Sequence, residues 1–528
     1  MAVKICMLIA FFAITLGIGA ACRKYAKSVD GFALGGRKVG PWFTAFAFGT
    51  SYFSAVIFVG YAGQFGWNFG LASTWIGLGN AFIGSLMAWV VLGRRTRLMT
   101  QHLNSRTMPD FFGLRFESNG LKTTAAVIVF VFLIPYTASL FNGLSRLFTM
   151  AFPGVDYFWC VIVMAVLTGI YVVLGGYMAT AVNDFVQGII MLFGIVSVIV
   201  AVLNGHGGLT EAIAKLSQAS VETASGTQLR GAYTSFFGAD PMLLLFVVIL
   251  TSLGTWGLPQ MVGKFYAIKD ESAIKKGTVI STVFAVIVAG GCYFLGGFGR
   301  LFADVIEYQA DGVTPVYDSI VPAMVNKLPP VLVGIVLVLV LSASMSTLSS
   351  LVLTSSSTIT LDLIASVGKR KLSEKTKMFT MQVLIGFFVL ISALIAVVQA
   401  KSNVVFIAQL MGVSWGALSG AFLAPFLYGL FWRKTTKAAC WVSFFWGVSL
   451  SVVQLIKSLT GFAFGATFLD EVVFASSIHC GAIAMLSGLI IVPLVSLITR
   501  KPDHAQVEKM FSCYDAKVTV PIKETLGE

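Results

Sequence analysis

With 528 residues, of which 57% are hydrophobic and 11% are charged, the chain is too apolar for a soluble protein and long enough for about a dozen membrane spans. Its net charge of +13 does not indicate nucleic-acid binding, because 28 of the 36 lysines and arginines fall in alternate loops between apolar segments. By the positive-inside rule this asymmetry predicts an extracellular N-terminus, a cytoplasmic C-terminus and a location in the cell (plasma) membrane.

The apolar segments predict thirteen transmembrane helices, here called spans 1 to 13. Span 1 is expected to be an uncleaved helix and not a signal peptide, because its cluster of cations follows the apolar run. The predicted spans are 4–22, 41–64, 71–93, 122–150, 156–174, 179–203, 240–263, 277–300, 330–361, 378–400, 403–431, 438–459 and 473–499.

Spans 2 and 7 both contain residues that interrupt a helix. Span 2 carries Gly49 just before two hydroxyl residues, and span 7 carries Gly254, Gly257 and Pro259. Interrupted helices five spans apart are typical of inverted-repeat transporters, in which the binding site lies where the helices unwind. Glycine and proline are also common in ordinary membrane helices, where they allow close packing, and the pattern alone leaves both interpretations open.

Span 6 contains Asp184, an acidic residue well inside an apolar segment with no basic loop in easy reach. An ionisable group at this depth is costly and therefore indicates function. The alternative is a hydrated carboxylate near the end of the span that pairs with an arginine of a loop.

Span 9 is the most informative segment, because 12 of the 19 residues from 342 to 360 carry hydroxyls inside an apolar run. Hydrocarbon offers these groups no partner, so they must face protein or an ion. Ala343, Ser346, Thr347 and Ser350 follow at helical spacing and share one face. This face could bind a cation, or it could be a packing surface whose hydroxyls bond back to the helix.

Five stretches resemble the sodium/solute symporter family, which contains sodium-coupled proline, pantothenate, sialic acid and sugar carriers. In chain order these stretches read FALGGRKVGPWFTAFAFGTSYFSA, TMPDFFGLRF, LGGYMATAVNDFVQGIIM, GLPQMVGKFYAIKD and LSASMSTLSSLVLTSSSTITLDL. The resemblance implies an all-α membrane protein of about 13 transmembrane helices with a leucine-transporter-like core of five plus five helices. The expected division is 1–40 (first helix and loop), 41–203 (first repeat), 204–239 (extracellular loop), 240–431 (second repeat), 432–499 (peripheral spans) and 500–528 (cytoplasmic tail).

The resemblance also implies sodium (Na+) sites. The first would be formed by the carbonyls of Thr50, Phe53 and Ala343 with the hydroxyls of Ser346 and Thr347. A second sodium, found in some members, would lie between Asp184, Ser346, Ser349 and Ser350. We therefore expect a two-sodium carrier, with a proton relay through Asp184 as the competing role.

The solute is expected beside the breaks in spans 2 and 7, with Gln409 and Trp415 as further candidates from span 11. The family's proline carriers have an aspartate at the position of Tyr52 and aromatic residues at the positions of Thr251 and Thr255. The chain departs from them at all three places, so proline itself is not the expected solute. The candidate lining has many hydroxyl groups and no charged residue, which indicates an amino acid or organic acid as the solute. The candidate lining residues are Tyr52, Ser54, Thr251, Thr255, Trp256 and Pro259.

No catalytic set of nucleophile, base and orienting group stands out, and no repeated filter loop of a channel, so we expect neither an enzyme nor a channel. The prediction is a secondary active transporter that imports a small organic solute with sodium by alternating access. A proton-coupled symporter on the same fold is the alternative. The expected partners are the solute, sodium ions and the lipid bilayer, with no nucleic acid.

Overall fold

The computed structural model describes residues 2–222, 228–309, 311–365, 372–402, 407–465 and 467–515. The last part of the predicted tail, 516–528, lies outside these ranges. Within them the chain is almost entirely helical, apart from one antiparallel hairpin of two three-residue strands. An all-α membrane protein is thereby confirmed.

The first half of the chain contains ten α-helices and the hairpin. They are α1 (Ala2–Cys22), α2 (Val29–Leu34), α3 (Pro41–Tyr52), α4 (Ala62–Phe69), α5 (Thr74–Gly79), α6 (Arg94–His102), α7 (Met108–Arg115), α8 (Asn119–Ala151), α9 (Tyr157–Asn204), α10 (Leu209–Gln218), β1 (Ser220–Glu222) and β2 (Gln228–Arg230). Short π-helices at Val56–Tyr61, Asn80–Met87 and Trp89–Gly93 join α4 to α3 and α5 to α6.

Ten more α-helices follow within the described ranges of the second half. They are α11 (Pro241–Leu253), α12 (Pro259–Tyr266), α13 (Glu271–Gly296), α14 (Tyr317–Asn326), α15 (Pro330–Thr358), α16 (Glu374–Ser402), α17 (Ile407–Phe431), α18 (Lys437–Thr460), α19 (Ser477–Ile498) and α20 (His504–Phe511).

Local sequence explains where many helices begin. Ser28, Thr107, Asp270 and Thr436 each accept a hydrogen bond from a backbone N–H in the first turn of the following helix. Such side chains satisfy donors that the helix itself leaves free. The helices α3, α11, α12 and α15 start with proline, which needs no partner for the N–H it lacks.

Ten helices of the described ranges are long and apolar enough to cross a membrane, and eleven if the bent pair of α11 and α12 is one span. Two of these apolar helices, 56–102 and 157–204, run for 47 and 48 residues. At about 1.5 Å per residue each exceeds a bilayer core of about 30 Å twofold. The count of thirteen spans and the repeat boundaries stay predictions.

Gly176 divides α9 into two segments, because its φ of 54° and ψ of −146° are not helical. A Cβ atom at this position would lie 2.7 Å from the carbonyl oxygen of Phe32. Only glycine combines this backbone conformation with such a close approach of α2. The kink thereby lets the second segment, which carries Asp184, pack along α15 and α3.

Both expected interruptions are present. After α3 ends at Tyr52, Phe53 is extended (φ −104°, ψ 115°) before the chain becomes helical again. After α11 a short 3-10 turn leads to the extended Leu258, and α12 departs at 45° to α11. The α3 break faces α15, which is buried over most of its length and also packs against α8 and α9.

Candidate sodium and solute sites

The residues predicted for the first sodium meet where α3 ends against α15. The hydroxyl of Ser346 donates to the hydroxyl oxygen of Thr50 at 2.7 Å. The hydroxyl oxygen of Thr347 lies 3.3 Å from the carbonyl oxygen of Thr50, 3.4 Å from that of Ser51 and 3.1 Å from that of Ala343. All of these residues are buried.

This cluster has more acceptors than protons. The single proton of the Thr347 hydroxyl can satisfy only one of its three neighbouring carbonyls at a time. Because α3 stops at Tyr52, the carbonyls of Thr50 and Ser51 lack the partners that a continuing helix would provide. A cluster of partly unsatisfied, neutral oxygens at a helix break is suited to a desolvated monovalent cation.

Phe53, the fifth predicted residue of this site, lies at the break itself. Its N–H still donates to the carbonyl of Gly49 at 3.3 Å, while its extended backbone turns the following carbonyl away from the helical direction. Its ring stacks on that of Tyr52 at 4.6 Å. The structure therefore brings Thr50, Ala343, Ser346 and Thr347 together and places Phe53 at their edge.

The second predicted sodium site contains a cation that belongs to the protein. The ammonium of Lys264 lies 3.6 Å from a carboxylate oxygen of Asp184 and donates to the hydroxyl of Ser350 at 2.8 Å. Lys264 is only 3% exposed and Asp184 is fully buried. We expected no basic loop in easy reach of Asp184, and this expectation is wrong, because the buried Lys264 of α12 lies beside it.

The other members of the second site differ in their roles. Ser349 donates to the carbonyl of Ser346 in its own helix at 2.8 Å, as a packing hydroxyl does. Ser350 also bonds to Ser51 at 2.7 Å between the two hydroxyl oxygens, which connects Lys264 to the α3 break. Ser346 lies between the first site and Asp184.

Most residues predicted to line the solute site instead donate hydrogen bonds to backbone carbonyls, as the hydroxyl of Tyr52 does to the carbonyl of Thr251. Thr251 donates to the carbonyl of Val247 in its own helix. Thr255 donates to the carbonyl of Gly84, and the indole of Trp256 donates to that of Ile83. Gln409, on α17, is exposed.

The described polar groups that converge near the α3 break are Ser54, Tyr136 and Trp415. Their hydroxyl oxygens and indole nitrogen are buried and form no hydrogen bond of standard geometry with a described residue, and the polar neighbours of the Tyr136 hydroxyl are Ser54 and Trp415. The indole ring of Trp415 lies 6.1 Å from the ring of Tyr52 and 6.0 Å from that of Tyr136, between ring centroids. Tyr136 was missed in the sequence, where its position after Pro135 in α8 was the available signal.

A cavity of about 50 Å³ lies beside Lys264 and Ser350 and extends to Arg106, one of the loop cations. We call it the α12 cavity. Its inner lining includes Tyr177, Thr180, Pro259, Gln260, Lys264 and Ser350. Of the predicted solute residues, Pro259 thus lines the α12 cavity and not the buried cluster of Ser54, Tyr136 and Trp415.

An ion-pair network lies beside the α12 cavity, which Arg106 and Thr107 line. Lys122 lies 2.7 Å from Asp110 and 3.4 Å from Asp362, measured between nitrogen and oxygen. Thr107, which lines the cavity, donates to Asp362, and Arg106 pairs with Asp30 at 2.7 Å. The network joins α2, α7, α8 and the end of span 9 beside the cavity.

Comparisons with known proteins match the chain to one family over most of its length. The model of the "Sodium:solute symporter family" matches residues 32–447. The chain is 28% identical to the sodium/proline symporter of Salmonella typhimurium over 485 residues, 88% of this chain and 92% of that protein. It is also 28% identical to the osmoregulated proline transporter OpuE of Bacillus subtilis over 502 residues, 94% of each.

Among solved structures, a Na+-coupled sialic acid symporter in a substrate-bound outward-open state aligns with a TM-score of 0.70 at 16% identity. The alignment covers 95% of this chain and 99% of that one, and so supports the shared fold. The family match covers well over half of the chain and includes both helix breaks and α15. The chain therefore belongs to the sodium:solute symporter family, as a membrane transporter that couples sodium to a small solute and not as an enzyme.

Proposed function

We propose that the first coupling sodium binds between the carbonyls of Thr50, Phe53 and Ala343 and the hydroxyls of Ser346 and Thr347. The surplus of carbonyl acceptors around the Thr347 hydroxyl is the observation that carries this assignment. Neutral ligands hold the ion through dipoles alone, so that it can leave again in each cycle.

The solute we propose is a small amino acid or organic acid bound beside the first sodium. Ser54, Tyr136 and Trp415 offer three buried polar groups that can donate hydrogen bonds, that lie next to one another and that form no hydrogen bond of standard geometry with a described residue. Such donors suit a carboxylate, because hydrogen bonds to a charged acceptor are the stronger ones. Proline is the first compound to test, since two relatives named above are proline transporters.

The transport direction follows from the proposed orientation, with the N-terminus outside and the C-terminus in the cytoplasm. The end of the molecule with the α12 cavity carries Arg106 and Lys122 and belongs to the cation-rich loops. The α12 cavity is then the cytoplasmic exit, and an inward sodium gradient drives import across the cell membrane.

Uptake into proteoliposomes tests the proposal. We expect an inward sodium gradient to drive accumulation of labelled proline or another carboxylated solute from a panel of amino acids, organic acids, sugars and vitamins. Tyr136→Phe should weaken solute affinity, whereas Tyr25→Phe, at a half-exposed tyrosine, should not. Accumulation of sugars alone, or a Tyr136→Phe variant with unchanged affinity, would contradict the proposed solute site.

A further inference from the structure

Lys264 places a positive charge where the sequence predicted a second sodium. We propose that its ammonium serves permanently as the second cation, so that the chain binds a single sodium ion per transport cycle. The inference rests on the proposed first sodium site and departs from the two-sodium expectation.

The Lys264 ammonium contacts residues of the predicted second sodium site. The ammonium donates to Ser350 at 2.8 Å and lies 3.6 Å from Asp184, so it contacts two of the four residues expected to bind the ion. It also lies 5.4 Å from the centre of the Tyr177 ring. These contacts surround the nitrogen with an anion, a hydroxyl and an aromatic face, which are the groups that stabilise a buried cation.

The charges of Asp184 and Lys264 balance each other. When ionised, Asp184 carries one negative charge, and its polar neighbours among the described residues include the Lys264 ammonium at 3.6 Å and the Ser346 hydroxyl. The Lys264 ammonium already neutralises that charge, and no other described acid forms an ion pair with it. A sodium ion at the same carboxylate would sit beside a like charge in a buried setting, where repulsion is poorly screened.

The Lys264 ammonium is covalently attached to the protein, unlike a sodium ion. Lys264 lies on α12, the second half of the broken span 7, while Asp184 and Ser350 lie on α9 and α15. The ammonium therefore joins three elements of the core, and the Ser350–Ser51 bond extends this connection to α3. A sodium ion can dissociate into the α12 cavity, but a lysine side chain stays with its helix.

Sodium binding to the purified full-length protein tests the inference without knowledge of the solute. We would measure equilibrium binding of ²²Na⁺ and count ions per chain. The wild type should bind one ion with a Hill coefficient of one. The variant Lys264→Gln should bind two, and adding Asp184→Asn to it should restore one.

Two further variants serve as controls. Lys264→Arg keeps the charge and should bind one ion, as should Lys269→Gln, which removes an exposed cation five residues along the chain. Two ions bound by the wild type would overturn the inference, and would mean that the Lys264 side chain leaves the site to admit sodium. A folded Lys264→Gln variant with one ion would overturn it as well.

The number of sodium ions bound by the wild type tests the inference even if the Lys264→Gln variant fails to fold. Failure of the proposed function has a different signature, because the wild type would then bind no sodium, or its single ion would be unaffected by loss of the Thr347 hydroxyl. The count of ions tests Lys264, whereas the effect of Thr347 tests the first site.

Discussion

Thr347 and Ser344 show how two hydroxyls of one helix can differ in role. The hydroxyl of Ser344 donates to the carbonyl of Val340 one turn back, which satisfies it within α15. The hydroxyl of Thr347 reaches across to the carbonyls of Thr50 and Ser51 as well as to its own helix. Of the two, only Thr347 has acceptors from a second element, as its proposed role as a sodium ligand requires.

Thr347→Ala should raise the sodium concentration needed for half-maximal uptake by about tenfold, which corresponds to about 1.4 kcal/mol for one lost ligand. Folding should survive, because alanine favours a helix and the change leaves the neighbouring backbone carbonyls in place. The measurement is the sodium dependence of uptake in proteoliposomes. Ser344→Ala is the matched control and should leave it unchanged; equal effects of both changes would remove Thr347 from the site.

Asp184→Asn should destabilise the protein by about 3–5 kcal/mol, because it leaves the buried ammonium of Lys264 without its counter-charge. Thermal unfolding in detergent measures the effect. The double variant with Lys264→Gln removes both charges and should recover most of the loss. A single variant as stable as the wild type would mean that the pair contributes little in the folded state.

Ser346 and Thr347 could be selected as candidate ligands from the sequence, since hydroxyls at helical spacing in an apolar run are visible in the chain itself. It was insufficient for Lys264, whose partner lies on another helix. The apolar residues on both sides of this lysine were the available signal. Thr255 and Trp256 are of suitable chemistry for a solute, yet their donors are used by the carbonyls of Gly84 and Ile83, which only the packing reveals.

Among the elements, the two broken helices could be predicted, because glycine and proline mark where a helix stops. What they pack against could not. The helix α4, which continues span 2 after its break, approaches α13 so closely that glycines face each other across the contact. This contact fixes the second half of span 2 relative to span 8.

Gly66→Ala should disrupt this contact, because its Cβ atom would lie 2.0 Å from the carbonyl oxygen of Gly296. The obstacle is backbone, which cannot rotate away, so we expect a loss of about 3 kcal/mol or more. Gly386→Ala is the control, since nothing lies within 4 Å of its added methyl on α16. Similar melting temperatures for the two variants would show that α4 and α13 can separate without cost.

On the scale of the whole molecule, large apolar side chains remain exposed on many of the long helices, including Phe193, Leu390 and Ile498. Such an extensive apolar surface is suited to lipid and not to water. The polar end with the α12 cavity also holds α20, where Arg115 lies 5.1 Å from the centre of the Phe511 ring. The first part of the predicted tail is thus a folded element packed against the loops.

The proposed orientation predicts a labelling pattern in whole cells. In a background with the seven native cysteines replaced, Phe237→Cys should react with a membrane-impermeant maleimide, because Phe237 is exposed in the predicted extracellular loop. His504→Cys, at the start of α20, should react only after the cells are permeabilised. The reverse pattern would place the N-terminus in the cytoplasm.

A tethered second cation limits how steep a solute gradient the protein can sustain. One sodium ion moving down a tenfold gradient and about 100 mV releases about 3.7 kcal/mol, which supports about 500-fold accumulation of a neutral solute. Two ions would support the square of that ratio. With Lys264 as the second cation, the maximal accumulation ratio is lower, but only one sodium ion enters with each molecule imported. This suits a carrier whose solute is already plentiful outside the cell.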